Sequence, residues 1–508
     1  MLSFPPLNVN VPNFRAPIRV RSVHSSALSV SFSVIQANNS HLALVLFSHL
    51  FSASFSSISE TLTLVLNSSV NHVHQPLILV FKMECWLPYG KTEAPVRIAD
   101  ENLLGIIEPS KKPAVSNPEQ EIANALENPI GTRRVESLAK AGDTVCIVVD
   151  DKTSPLPSHV LVQSLLSRLN SAGVRDGDIT VLFGCGIHST MSIEEAASII
   201  GEDSAKRVRL LVHEAGASDQ VYLGETSRGT KVRINKAFAE ASIKILTGDV
   251  QPHYFAGYGG GRKSVLPAIT DTASIEHNHS FMVDEGAKAG SLEMNPIHLD
   301  MVEAAHLAKP DFTLNVVLTP QRDIIKAFAG DMNLVFQEGV RLVDEICKVP
   351  VRSKADVVIA SPGGHPRDLD LYQACTSLGT ALNVVSNDGV IVLVAECQEG
   401  FGNRTFYDWM SNFKTSGDMK KEIRKRFVLG GHMAYYLTRA LEQVKIILVS
   451  TMPDYYASKV FHLRTARTAN IALNMAYRIL NRKAKVLVMP QCPNTLPIVD
   501  AAYAGNTA

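Results

Sequence analysis

From Met83 onward, short and nearly uninterrupted apolar runs alternate with segments of helical period, and this alternation restricts the fold more than any other feature of the chain. The runs at 144–150 (TVCIVVD), 179–183, 243–248, 312–319, 355–361, 390–395, 445–450 and 485–489 read as strands buried on both faces. Between them, residues 157–172, 193–200, 333–346, 372–385, 433–444 and 469–480 carry a helical pattern. Strands this apolar, separated by helices, predict α/β layers with largely parallel sheets. Residues 221–234, broken by Gly224 and Gly229, predict an antiparallel excursion. The 508 residues exceed one ordinary domain. A polar break at 348–354 (KVPVRSK) sets the boundary, giving two α/β domains over 83–349 and 350–508 with the active-site crevice between them.

Residues 1–82 differ in composition. They hold four Lys/Arg and one Asp/Glu, whereas the remainder holds 45 and 48. No acidic residue precedes Glu60, and 14 of the first 59 residues are serine. An Arg- and Ser-rich, acid-poor leader is the pattern of an organellar transit peptide; a disordered segment or a start assigned upstream of Met83 gives the same pattern. The apolar stretch at 42–65 is interrupted by Ser and His and lacks the clean run of a membrane helix. The expected location is cytoplasmic, or organellar if the leader is a genuine transit peptide, with no membrane role for the body of the chain. A formal net charge of zero argues against a nucleic-acid partner, which needs a basic footprint. Seven cysteines, none in a C-x-x-C pair, exclude a zinc ribbon or thioredoxin-like motif and read as buried thiols in a reducing compartment.

Three polar loops follow three of the strands: 150–157 (DDKTSPLP), 184–188 (GCGIH) and 248–264 (GDVQPHYFAGYGGGRKS). Ligands bind outside the carboxyl ends of parallel strands, so these loops are expected to converge on one crevice. The glycines of the third loop, Gly259, Gly260 and Gly261 among them, permit close backbone approach and can cradle an anion, and Arg262 and Lys263 add positive charge. A Walker A loop fails here, because counting from Gly257 the second required glycine is Arg262. His188, His253 and His279 are the candidate reactive imidazoles. The segment Glu276-His277-Asn278-His279 holds an H-x-H pair, which shares a face on an extended segment but not on a helix.

Taken in order, these residues resemble the nickel-dependent lactate racemase family over essentially all of 83–508. The motifs are D-D-x-T then P-x-P at 150–157, G-x-H at 186–188, P-H-x-x-A-G-[YF]-x-G-G-x-K at 252–263, N-H at Asn278-His279, and G-G-x-P-x-D-x-x-x-Y-Q at 363–373. The resemblance implies a pyridinium-3,5-bisthiocarboxylic acid mononucleotide, the nickel pincer, covalently attached to Lys263. It implies His279 as the nickel ligand, which suits an imidazole, and the glycine loop as a seat for the phosphate. It makes His188 and His253 the acid–base pair of a 2-hydroxy acid racemase or epimerase. It puts Asp151, Ser154, Gln373 and Thr376 in the substrate pocket, the C-terminal domain completing that pocket, and it implies cofactor-synthesis enzymes as partners in maturation.

Two positions depart from the family. Ser154 stands where Arg is common, and Thr376 where Lys is common. Loss of two cations disfavours a small carboxylate-anchored substrate such as lactate and favours a larger or different 2-hydroxy acid. The rival readings are a nucleotide-dependent enzyme using the glycine loop, against which the failed Walker register counts, and a non-catalytic protein that keeps the fold, against which the intact His188, His253, Lys263 and His279 count.

Overall fold

The eight apolar runs all form strands, four in each of two six-stranded sheets. In the computed structural model, which describes residues 82–153 and 156–499 together with the short strands Val34–Gln36, Leu42–Leu44 and Ser59–Glu60, most of the leader lies outside the described residues, as does Ser154.

The spatial order of the first sheet is Ile324–Gly330, Phe312–Leu318, Ile243–Asp249, Val145–Asp150, Ile179–Gly184 and Arg209–Val212. Its neighbours are parallel except for the antiparallel edge strand Ile324–Gly330. The second sheet runs Arg464–Ala466, Lys445–Val449, Val385–Val394, Ala355–Ala360, Val486–Met489 and Leu103–Ile106, with every neighbour parallel. Val145 to Val149 are all buried, as a strand covered on both faces requires. On one face the helix Ser158–Ser171 buries Leu161, Leu165 and Leu169 at four-residue spacing. The helix Ile193–Ile200 is started by a reciprocal Ser192–Glu195 capping box. On the other face Val148 and Leu246 belong to the same apolar cluster as Val358 and Leu393 of the second sheet, so the two sheets share a core.

The excursion at 221–234 is an antiparallel pair, Val221–Glu225 with Lys231–Ile234. The polar break differs from a simple linker. The helix Met332–Cys347 runs directly into the strand Lys348–Val351, which pairs with Leu496–Val499. A division at 349/350 also leaves Leu103–Ile106, a strand of the second sheet, on its N-terminal side. All seven cysteines are free and buried, and burial pushes the Cys146 thiol up to about 12. No helix among the described residues is long and apolar enough to cross a membrane.

Candidate active site

The first sheet has one point where its winding reverses. From Val145–Asp150 the chain proceeds outward through Ile179–Gly184 and Arg209–Val212, then returns to lay Ile243–Asp249 on the other side of Val145–Asp150. A crevice opens where the connections diverge in this way. Here it is a cavity of about 230 Å³ lined by Asp151, His188, His253, Lys263 and His279. The second half of the chain closes it with Tyr372, Phe427 and His432.

His188 and Asp151 come from the loops after adjacent, in-register strands. Asp151 is buried, and its Oδ2 lies 3.0 Å from His188 Nδ1. Its Oδ1 accepts from the Thr153 amide at 2.9 Å and the Thr153 hydroxyl at 2.6 Å. Burial pushes the Asp151 pKa up, but the bonds from His188 and Thr153 outweigh it and hold the carboxyl below its ordinary range. An ionised Asp151 requires the proton of neutral His188 on Nδ1, which leaves Nε2 with a free lone pair.

The third loop folds around Arg262. Its guanidinium is buried and donates to the carbonyl oxygens of Gly260 (3.0 Å), Ala256 (3.0 Å) and Tyr258 (2.9 Å), while stacking 4.3 Å above the Phe336 ring. The expectation that Arg262 supplies charge to a ligand is therefore corrected: its two terminal nitrogens are turned onto the backbone, and it does not line the cavity. The glycine reading changes in the same way. At Gly260, φ is +81° and a Cβ would lie 2.8 Å from the Asp249 carbonyl oxygen; at Gly261 it would meet the Phe336 side chain at 3.1 Å. These glycines admit close protein packing. Gly259 and Gly260 still line the cavity, whereas Gly261 is not among its lining residues.

This loop holds His253 and Lys263 on opposite sides of a tight turn, Pro252–His253 pairing with Gly257–Tyr258. The Ala256 amide donates to His253 Nδ1 at 3.2 Å, so neutral His253 carries its proton on Nε2, the reverse of His188. Burial, with the charges of Lys263 and neighbouring groups, holds the His253 pKa well below its ordinary value. Ser264 Oγ donates to the Thr247 carbonyl at 2.7 Å and ties the end of the loop to its strand. Burial, then the Arg262 charge, brings the Lys263 amine down to about 8.

His279 lies on the helix Thr272–Ser280, not on an extended segment, so His277 and His279 do not share a face. His277 Nδ1 bonds the Thr230 hydroxyl at 2.8 Å, and that hydroxyl donates to Asp300. His279 is buried between the edges of Phe255 and Phe427. Asn278 Nδ2 donates to Asp300 at 2.8 Å and to the Ile297 carbonyl at 3.2 Å. Its Oδ1 is thereby the acceptor facing His279 Nδ1 at 3.1 Å. His279 thus carries its proton on Nδ1 and presents a bare Nε2, the form of a metal ligand with an oriented outer partner. Burial pushes its pKa down to about 3, so the ring is neutral.

The remaining substrate-pocket residues fare differently. Gln373 and Thr376 are not among the residues lining this cavity. Gln373 faces Asp370, and the Thr376 hydroxyl donates to the Gln373 carbonyl at 2.7 Å. Tyr254 and His432, joined at 3.0 Å between Oη and Nε2, line the cavity without having been singled out in the sequence. Tyr254 and Tyr372 lie inside two of the motifs. His432 and Phe427 lie about 150 residues past the last reactive loop, where a Gly-Gly-His at 430–432 is the sole local signal.

The lactate racemase N-terminal domain family matches residues 89–290 and the lactate racemase C-terminal domain family residues 351–495. The lactate racemase of Thermoanaerobacterium thermosaccharolyticum is 33% identical over 413 residues, covering 80% of this chain and 96% of the relative. That of Lactiplantibacillus plantarum is 34% identical over 414 residues, covering 80% and 97%. The structure of the lactate racemase apoprotein from T. thermosaccharolyticum aligns with a TM-score of 0.76 at 33% identity, over 82% of this chain and all of that one. A Thermotoga maritima protein aligns with a TM-score of 0.58 at 17% identity, over 77% of this chain and all of that one, a likeness of fold alone.

The placement of Arg262 generates a stability prediction. Arg262→Met leaves the buried Ala256 and Tyr258 carbonyls without their donor and Gly260 with the Lys263 amide alone, at about 1–3 kcal/mol for each unsatisfied group before relaxation. Denaturant unfolding is expected to show a loss of about 3 kcal/mol or more, with faster amide exchange across 256–263. Wild-type stability in Arg262→Met would show that the side chain is not the scaffold of the loop.

Proposed function

The chain belongs to the lactate racemase family, and on that footing we propose that it interconverts the stereoisomers of a 2-hydroxy acid, using a nickel-bearing pyridinium-3,5-bisthiocarboxylic acid mononucleotide joined to Lys263. The observation that carries this reading is that Lys263, His279, His188 and His253, in the family's order along the chain, line one cavity.

The residues present fit that group. A lysine whose pKa is lowered toward neutrality has more of the free amine that an acyl-type bond requires. The bond also removes a buried positive charge. His279 offers a neutral imidazole nitrogen, a donor that suits nickel. Among the described residues no three His, Cys, Asp or Glu side chains stand together as a metal site, so the other donors would come from the cofactor. When bound, the cofactor supplies a hydride acceptor and donor for C2 of the substrate.

The chain's own residues handle the proton. His188 Nε2 takes the proton of the substrate hydroxyl, and Asp151 stabilises the imidazolium and holds the ring in its orientation. His253 begins as a donor, its Nε2–H directed to a substrate oxygen. For the opposite stereoisomer His253 is the base, which requires its Nδ1 to release the Ala256 amide and carry the proton instead. Phe255, Phe427 and the Tyr254–His432 pair limit water around the reacting atoms. Enzymes that make the cofactor are the implied partners in maturation.

The substrate reading rests on charge. Lys263 is the one cation among the described residues lining the cavity, and the tether neutralises it. With Ser154 and Thr376 in place of two cations, a small carboxylate such as lactate lacks a charged partner. One charge-assisted hydrogen bond contributes about 1.5–3 kcal/mol, or roughly ten- to a hundredfold in binding.

Two outcomes are expected. In protein matured with the cofactor-making enzymes, His279→Ala loses nickel by metal analysis while keeping the adduct on Lys263; His277→Ala keeps nickel and loses about 1 kcal/mol of stability with its Thr230 bond. Nickel retained in His279→Ala and lost in His277→Ala would contradict the ligand assignment. Chiral chromatography is expected to show slow or no racemisation of lactate and faster turnover of longer or polyhydroxylated 2-hydroxy acids, with Ser154→Arg/Thr376→Lys shifting preference toward lactate. Efficient lactate turnover above all others would refute the substrate reading.

A further inference from the structure

Tyr254 and His432 meet at the wall of the reactive cavity, and both line it. Tyr254 follows His253 on the tight turn of the third loop, its ring stacked on that imidazole at 4.9 Å between centroids and 20° between planes. His432 enters from the second half of the chain, at the start of the helix Gly431–Gln443, beside the Phe427 ring at 5.0 Å.

The direction of the bond between them is fixed from behind. The Gly430 amide donates to His432 Nδ1 at 3.2 Å, so that nitrogen is an acceptor. Burial brings the His432 pKa down to about 4, so the ring is neutral and its one proton is on Nε2. Nε2 therefore donates to Tyr254 Oη across the 3.0 Å between them, and the phenol's own hydrogen is directed elsewhere. No other group among the described residues accepts that hydrogen. Burial, then the neighbouring phenols of Tyr372 and Tyr436, pushes the Tyr254 pKa well above its ordinary value, so the donor is retained. A hydroxyl whose oxygen already accepts a bond is a stronger donor, because successive hydrogen bonds polarise one another.

What this donor can serve follows from the groups around it. Asp150 and the ionised Asp151 stand at the end of the strand Val145–Asp150 and drive an anionic group away from that side. Lys263 is the one cation among the described residues lining the cavity, and the tether neutralises it. The hydroxyls of Thr153 and Ser264 are spent on Asp151 and on the Thr247 carbonyl. Apart from the reactive imidazoles, Gln251 and Tyr372 carry the other polar side-chain donors of the lining, and among the described residues no hydrogen bond fixes either. Tyr254 is thus an oriented neutral donor, one stacked ring away from the imidazole that meets the substrate hydroxyl. In a 2-hydroxy acid the carboxylate is bonded to the carbon that bears that hydroxyl. We propose that Tyr254 anchors the substrate carboxylate by a hydrogen bond from its phenol, with His432 as the positioning residue that aims it, in place of the cations absent at Ser154 and Thr376. The oriented donor stands on the geometry above; the carboxylate as its partner rests on the reading given under Proposed function.

The test uses the full chain matured with the cofactor-making enzymes and two achiral probes. Glycolate carries only the hydroxyl and carboxylate common to all 2-hydroxy acids, and glycolamide replaces the carboxylate with a neutral amide. Dissociation constants are read by ligand-observed NMR, which does not require turnover. The Lys263 adduct and racemisation are followed separately on the same samples and bear on the reading under Proposed function alone. Tyr254→Phe keeps the ring and its stacking and is expected to raise the glycolate dissociation constant about tenfold or more, with that of glycolamide changed by no more than about threefold. His432→Ala is expected to weaken glycolate about threefold or more, and His432→Gln, whose amide can donate to the same oxygen, to recover most of that loss. Circular dichroism checks the fold of each variant; if Tyr254→Phe does not fold, His432→Ala against His432→Gln decides. Glycolate bound equally by wild type and folded Tyr254→Phe, equal losses for glycolate and glycolamide, or a larger loss in Tyr372→Phe than in Tyr254→Phe would overturn the proposal. So would a wild-type chain that binds no glycolate.

Discussion

The buried guanidinium of Arg262 organises the loop on which the reactive groups depend. Removing a cation from water is costly, and burial brings this one down to about 9. Three backbone carbonyls and the face of Phe336 offset that cost. In return the chain from Ala256 to Lys263 is wound around a rigid planar fork. Its start presents His253 and its end presents Lys263, while the Ser264 hydroxyl anchors it to the strand Ile243–Asp249. The glycines serve this winding, since a Cβ at Gly257 would strike the Ser291 carbonyl and one at Gly260 that of Asp249.

Around that loop the protonation of three imidazoles is set by what each ring's Nδ1 meets. Asp151 makes His188 Nδ1 a donor, the Ala256 amide makes His253 Nδ1 an acceptor, and Asn278 makes His279 Nδ1 a donor. Nε2 consequently presents a bare lone pair on His188 and His279 and an N–H on His253. Three residues of one type are thus set in two tautomers by partners in the same loop or helix or, for His188, in the neighbouring loop. The Asp300 cluster shows how far the support extends: it bonds Thr226, Thr230 and Asn278, and through Asn278 it orients a ring it does not touch.

The layered fold was legible because strands buried on both faces must be apolar throughout, as 144–150 and 390–395 are. The strands that escaped notice lack that mark. Arg209–Val212 is half-exposed, Arg464–Ala466 has three residues, and Ile324–Gly330 is an edge strand carrying an exposed lysine. Leu103–Ile106 is legible only through its partner Val486–Met489, almost four hundred residues away. In the site, residue type and spacing singled out His188, His253, Lys263 and His279, but neither reveals where a side chain points. Arg262 read as a ligand for an anion because it is charged, and it serves backbone carbonyls. Arg367, within the last motif, drew no attention; that its guanidinium has no hydrogen-bond or ion-pair partner among the described residues emerges only once the second sheet folds its loop toward Asp249.

The central claim is that the cavity beside Lys263 holds a covalently joined nickel nucleotide. Peptide mapping by mass spectrometry, on full-length protein produced together with enzymes that make the cofactor, tests it most directly. The account predicts a mass adduct confined to the peptide containing Lys263, near-stoichiometric nickel, and loss of the adduct in Lys263→Ala. A catalytically active preparation with no adduct, or with the adduct on another lysine, would contradict it.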